Sequence, residues 1–157
     1  MELLGKALCN SRPKEALPVY EANLALMRRY WSHDERGILT AQTNVASCLG
    51  DLGRHDEALV LRREIYANRV AMGGAADSIV LAGGILSSSL RKTGRFAEAK
   101  TLLRDEMLPM ARQSLGPTHG FCMDTEEFLV EALRMDPNAT RDDLREAETI
   151  MQDVLQR

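Results

Sequence analysis

The chain has 157 residues, enough for one domain with a sizeable core and too few for two of ordinary size. Its 20 Lys and Arg against 23 Asp and Glu leave a net charge of -3, which excludes a basic nucleic-acid-binding surface as the starting expectation. Hydrophobic residues make up 45% and aromatic ones 4%, and Ala, Leu, Met, Glu and Arg abound, so the chain should fold and should be all-α.

The first predicted element is the second half of a helical hairpin, with Glu15, Ala16, Leu17 and Val19 on it and Pro18 bending it without ending it. Tyr30 and Trp31 close this helix and are expected to pack against the neighbouring unit. Next, Ile38, Ala41, Val45, Cys48, Leu49 and Leu52 form one stripe at helical steps, and Gly53 stops that helix with a left-handed cap. Asp56 and Glu57 then suit the positive end of a second helix, and Ala58 lets two backbones approach. A shift of 41 residues repeats this pattern: Ile38/Ile79, Ala41/Ala82, Ser47/Ser88, Leu49/Leu90, Gly53/Gly94, Arg54/Arg95, Glu57/Glu98 and Ala58/Ala99 are identical. Composition alone supplies roughly one or two matches in such a window, so the chain carries an internal repeat.

Pro109 falls deep in the second helix of that copy and should bend it. Further on, Glu126, Leu129 and Leu133 follow Gln42, Val45 and Leu49 by 84 residues, whereas Glu146, Ala147, Ile150 and Val154 follow their counterparts by 89. The slip places an inserted turn at Asp136 to Thr140, where Pro137 and Asn138 have turn chemistry. The units therefore run approximately 1–33 (partial), 34–74, 75–117 and 118–157, in a single domain of about three and a half helix-turn-helix repeats. Beginning in mid-repeat and stopping inside a helix, the sequence reads as a piece of a longer array.

Helical pairs with a period of 41 to 42, the turns Gly53-Arg54-x-x-Glu57-Ala58 and Gly94-Arg95-x-x-Glu98-Ala99, and the linker Leu115-Gly116-Pro117-Thr118-His119 resemble tetratricopeptide repeats (TPR) of the kinesin light chain type. Asn44, Val45, Ala46, Leu49, Leu86 and Leu90 add to the resemblance, which spans about Arg12 to Gln156. It implies an α-α superhelix, a TPR-like solenoid, whose first helices line a concave groove that takes a peptide segment. The groove-facing positions it implies are Thr43, Asn44, Ser47 and Asp51 in the second unit, Leu81, Ile85, Ser88, Arg91 and Lys92 in the third, and Glu127, Glu131 and Arg134 in the fourth. A solvated helix face is the alternative at each. Leu81 and Ile85 stand where chaperone-binding repeats carry cationic clamp residues, so a carboxylate grip is not expected and apolar anchors in the ligand are.

Catalysis is not expected. His119, Cys122 and Glu126 are spaced for one helical face, yet His119 is already accounted for as a linker residue. Gly83-Gly84 lacks the Lys-Ser/Thr of a phosphate loop, and Ser87 to Ser89 lack a nucleophile elbow. No metal or cofactor is implied. The three thiols Cys9, Cys48 and Cys122 have neither zinc nor redox spacing and are expected to be reduced. The longest apolar run, 78–86, is far short of the roughly 18 to 20 residues that span a bilayer, and no signal-like segment opens the chain, so a cytoplasmic location is the default.

The function that follows is a non-enzymatic protein-interaction scaffold, with a protein or peptide partner and neither nucleic acid nor membrane. The rival expectation is a self-associating repeat module, a homo-oligomer formed through its end helices, with the apolar run Leu3, Leu4, Ala7 and Leu8 at one end. The segment 124–157 holds ten acidic and four basic residues, so it is read either as a solubilising cap or as an acidic docking surface.

Overall fold

A computed structural model describes residues 12–156, which fall into two compact units divided in sequence between Ile65 and Tyr66. Among the described residues every regular element is helical, and no helix is long and apolar enough to cross a membrane. The run Leu3 to Leu8, and Cys9, lie outside the described residues.

The first unit holds α1 (Pro13–Tyr30), α2 (Glu35–Asp51) and the opening turns of α3 (His55–Ala71). Pro13 sits in the first turn of α1, where its missing N–H costs nothing, and Pro18 is carried within the helix as anticipated. Asp34 caps α2: its Oδ1 accepts the Gly37 N–H at 2.9 Å. The apolar stripe of α2 is buried as its spacing demands. Ala41, Val45, Cys48 and Leu49 meet Ala16, Leu17, Tyr20 and Leu24 of α1 and Ala58 of α3, with Ile38, Leu52 and Leu61 at the edge. A smaller cluster of Leu39, Ala46 and Ile65 packs beside it, so α2 is buried on two sides. Gln42 is buried too, and its amide donates to Glu64 at 2.8 Å.

The second unit holds the end of α3, then α4 (Ala76–Lys92), α5 (Phe96–Thr101), a π-helical turn (Leu102–Met107), α6 (Leu108–Ser114), α7 (Gly120–Met135) and α8 (Arg141–Leu155). From α5 to α6 the helix is continuous, and the π turn is its one irregularity. There the Leu108 N–H reaches back five residues to the Leu103 carbonyl. Pro109 follows directly. The widened turn makes room for a ring that would otherwise strike the carbonyl one turn earlier, so the bend expected from Pro109 takes the form of an inserted residue. The insertion is legible in burial: Ala58 and Ala99, 41 apart, are both buried, and so are Ile65 and Met107, 42 apart.

Small residues decide the closest contacts. A Cβ on Gly83 would lie 2.1 Å from the Met107 sulfur, and one on Gly84 would lie 2.9 Å from the Phe128 ring. Gly83-Gly84 is thus a packing device of α4 that admits the second helix on one side and α7 on the other. The alanine after each hairpin turn has the same role: Ala16, Ala58, Ala99 and Ala147 are all at most 1% exposed.

Two expectations are corrected. Tyr30 and Trp31 are exposed and stack edge-to-face on each other with centroids 6.1 Å apart, with Arg29 over the Tyr30 ring at 5.1 Å. The end of α1 carries them past the core, and a large aromatic side chain is not thereby buried. Cys48 is disulfide-bonded, not reduced, whereas Cys122 is a fully buried thiol beside Arg112.

Candidate interaction surface

The hairpin turns set which face of each first helix is left open. After α2, the Gly53 backbone is left-handed (φ 76°), and the Arg54 N–H reaches the Leu49 carbonyl at 2.9 Å. After α4, Gly94 (φ 74°) and the bond from Arg95 N–H to the Leu90 carbonyl, at 2.7 Å, repeat the geometry. Each turn then carries an Arg–Glu pair, Arg54 with Glu57 and Arg95 with Glu98, both exposed. The Arg54 guanidinium holds the Glu57 carboxyl below its ordinary range.

With apolar stripes turned inward, another stripe of each first helix remains outside. On α4 it runs Leu81, Ile85, Ser88 and Lys92, at steps of four, three and four. Leu81, Ile85 and Lys92 are exposed and Ser88 is half-buried. On α2 the corresponding positions include Asn44, Ser47 and Asp51: Ser47 and Asp51 are exposed and Asn44 is half-buried. Thr43 is turned to its own helix, its hydroxyl donating to the Leu39 carbonyl at 2.8 Å.

Arg91, Glu131, Glu127 and Arg134 divide in two. The Arg91 guanidinium binds the Glu131 carboxylate and lies 5.9 Å from the Phe128 ring centroid, tying α4 to α7. Arg91 is mostly buried, and its Nε has no hydrogen-bond partner. Glu127 and Arg134 are exposed on the stripe of α7 that also carries Glu131, four residues before it and three after. Sequence reasoning placed Arg91 and Glu131 in a groove for a ligand; the structure engages them with each other.

Part of the acidic final segment is met by bases from the preceding hairpin. Lys100 of α5 sits 2.8 Å from Asp136 and 3.2 Å from Asp143, all three side chains being nearly buried. Arg104 of the π turn holds Glu146, and Arg112 of α6 holds the fully buried Glu126 at 2.8 Å. Lys100 holds the Asp136 carboxyl below its ordinary range, with help from the Asn138 N–H. The Thr140 backbone does the same for Asp143, again with Lys100. Burial alone would lower the Lys100 ammonium, but its bonds to the two carboxylates raise it. These acids join the hairpins, so the segment is only in part an acidic surface.

His119 does not join Cys122 and Glu126, which both meet the Arg112 guanidinium. His119 caps α7, its Nδ1 accepting the Phe121 N–H at 3.2 Å, while Glu126 is taken by Arg112. Among the described residues no group of three or more His, Cys, Asp or Glu could hold a metal ion.

Repeated helical hairpins, closed by like turns on like alanines, define a protein of the helical-repeat class. The chain superposes on the nearly identical TPR-like repeats assigned to a kinesin light chain of Podosopora anserina, with a TM-score of 0.79 and 18% identity over 98% of this chain and 74% of that one. A single-substitution variant of that protein matches equally well. The fold is therefore that of TPR-like repeats. No protein-family model matches the chain, and no curated protein does.

Proposed function

We propose that the chain is a non-enzymatic protein-interaction module that takes a peptide segment along the outer stripe of its first helices. The observation that carries this reading is the pair Leu81 and Ile85, two large apolar side chains left in water one turn apart on a helix whose other faces are packed. Water-exposed aliphatic neighbours of this kind offer a pocket edge for one Leu, Trp or Tyr of a ligand. Lys92, further along the stripe, favours a carboxylate near that anchor, and within the other unit Asn44, Ser47 and Asp51 present hydrogen-bonding groups on α2. Glu127 and Arg134 lie on α7, on the stripe that also carries Glu131. A TPR-like fold supports an interaction role by analogy, since members of this class are scaffolds.

A photo-crosslinking residue at position 85, compared with one at the more exposed Val60 of α3, tests the reading in extracts of the source cells. A protein crosslinked only from position 85, with affinity lowered at least tenfold by Leu81→Ser and Ile85→Ser at unchanged helicity, is the expected result. Equal crosslinking from both positions, or binding indifferent to both substitutions, overturns it.

The proposal includes a cytoplasmic setting, which the disulfide at Cys48 challenges. Thiol alkylation at lysis, followed by mass spectrometry, decides between them: Cys48 recovered alkylated supports the cytoplasm, and Cys48 recovered in a disulfide assigns an oxidising compartment.

A further inference from the structure

Successive second helices are tied together in one unit and left apart in the other. In the second unit the buried alanines Ala99 and Ala147 mark the second helices of consecutive hairpins, and the furrow between those helices is bridged. Arg104, five residues past Ala99, donates from its Nε at 2.9 Å to Glu146, one residue before Ala147. In the first unit the corresponding alanines are Ala16 of α1 and Ala58 of α3, and the same two places carry Glu21 and Glu57. A carboxylate thus stands where the bridging guanidinium stands in the other unit, and two like charges cannot close the furrow.

That furrow is a groove of about 420 Å³, within the size range of ligand pockets, roughly 300–1,000 Å³. Val45 and Leu49 of α2 lie at its floor, Leu24 of α1 and Val60 of α3 line its sides, and both Glu21 and Glu57 border it. It lies between two hairpins whose second helices are both present, so it is not a flank on which the next hairpin stacks. Val60 is 58% exposed, a large aliphatic side chain left in water beside the two carboxylates. Arg54 commits its Nε and Nη2 to Glu57, both at 2.6 Å, and acts on Glu21 only through its charge. Two carboxylates against one guanidinium leave this end of the groove negative. At the other end Arg28 is already matched, its Nη2 lying 3.7 Å from Glu64. The occupant that fits must supply what Arg104 supplies in the bridged furrow, a cation on an aliphatic stem, here laid over an apolar floor.

We propose that the groove between α1 and α3 receives an arginine or lysine of a partner protein together with an adjacent aliphatic residue. The cation lies between Glu21 and Glu57, its methylene stem runs along Leu24, and the aliphatic neighbour covers Val60. The surface differs from the Leu81 and Ile85 stripe and the proposal stands without it. A protein held here crosslinks from position 60 and not from position 85.

A displayed library of short random peptides, selected on the full chain, tests the assignment. Sequences pairing Arg or Lys with Leu, Ile or Val should be enriched. The tightest of them, titrated by fluorescence anisotropy, should lose at least tenfold in affinity on Glu21→Arg and on Val60→Ser at unchanged helicity, and again when its own cation is replaced by norleucine. Glu148→Arg, the same change of charge at an exposed site of α8, should leave its affinity unchanged. A selection without that pairing, or an affinity indifferent to Glu21→Arg or lowered equally by Glu148→Arg, overturns the proposal. So does a dimer in light scattering that dissociates on Glu21→Arg, because it assigns the groove to a second copy of the chain.

Discussion

The turns after α2 and α4 and the turn between α7 and α8 close the same kind of hairpin by opposite means. The first two are self-contained: a left-handed glycine, a backbone bond back to a leucine carbonyl, and an exposed Arg–Glu pair within four residues. The third has no glycine. Asp136 turns the chain by accepting the Asn138 N–H at 2.8 Å, and Thr140 with Asp143 forms a capping box that starts α8. Its remaining support is tertiary, because Lys100 of another hairpin clamps Asp136 and Asp143. One geometry of helix crossing can therefore be reached by local backbone chemistry or by a long-range charge cluster, and the two should respond differently to substitution and to acid.

The largest effect should be common to both, since the buried alanine is what the turns serve. Enlarging it overpacks a helix crossing with no spare volume, so Ala58→Leu, Ala99→Leu and Ala147→Leu should each cost about 3 kcal/mol in urea unfolding. If Ala147→Leu were tolerated while Ala99→Leu was not, the fourth hairpin would cross differently and the equivalence would break.

Lys100→Met should separate the two kinds of turn. It leaves two nearly buried carboxylates facing each other, and a midpoint drop of roughly 5 °C at neutral pH is expected. The sign with pH follows from the carboxyls being held below their ordinary range when folded. Their contribution is complete above the unfolded value near 4 and is lost as pH falls through the lower folded values. The unaltered chain should thus lose stability on acidification below about pH 4. In Lys100→Met protonation relieves repulsion, so the gap between the two proteins should narrow in acid, as thermal unfolding followed across pH would report. A gap constant with pH would show that Lys100 acts through packing.

The contrast also marks what the sequence could carry. Gly53, Gly94 and the alanines were readable because a backbone requirement admits one residue type, and Asp136–Thr140 because Pro137 and Asn138 have turn chemistry. The π turn left only a slip of one residue between Leu61/Leu102 and Ile65/Met107, which keeps every apolar side chain apolar and so leaves no break in the pattern. Of the candidate surface, the α4 stripe followed from the resemblance to TPR-like repeats. The capture of Arg91 by Glu131 and of the late acids by Lys100, Arg104 and Arg112 did not, because partners 14 to 43 residues apart are chosen by tertiary packing. Complementary charge between hairpins was the available signal: the segment 124–157 carries -6 and the remainder +3.

The smallest effects should lie within the local turn itself, where backbone and side chain can be set against each other. Gly94→Ala forces a Cβ into a left-handed conformation with nothing within 4 Å to resist it sterically, so its cost is intrinsic to the backbone, about 1 kcal/mol. Arg95→Ala removes an exposed ion pair of 3.4 Å and should cost less than about 0.5 kcal/mol, vanishing at high salt. The ordering matters more than either value. A turn specified by its glycine keeps its geometry when the charge pair is gone, whereas a larger loss from Arg95→Ala than from Gly94→Ala, read from denaturation midpoints, would make the Arg–Glu pair the organiser and bring this turn closer in kind to the charge-clamped turn before α8.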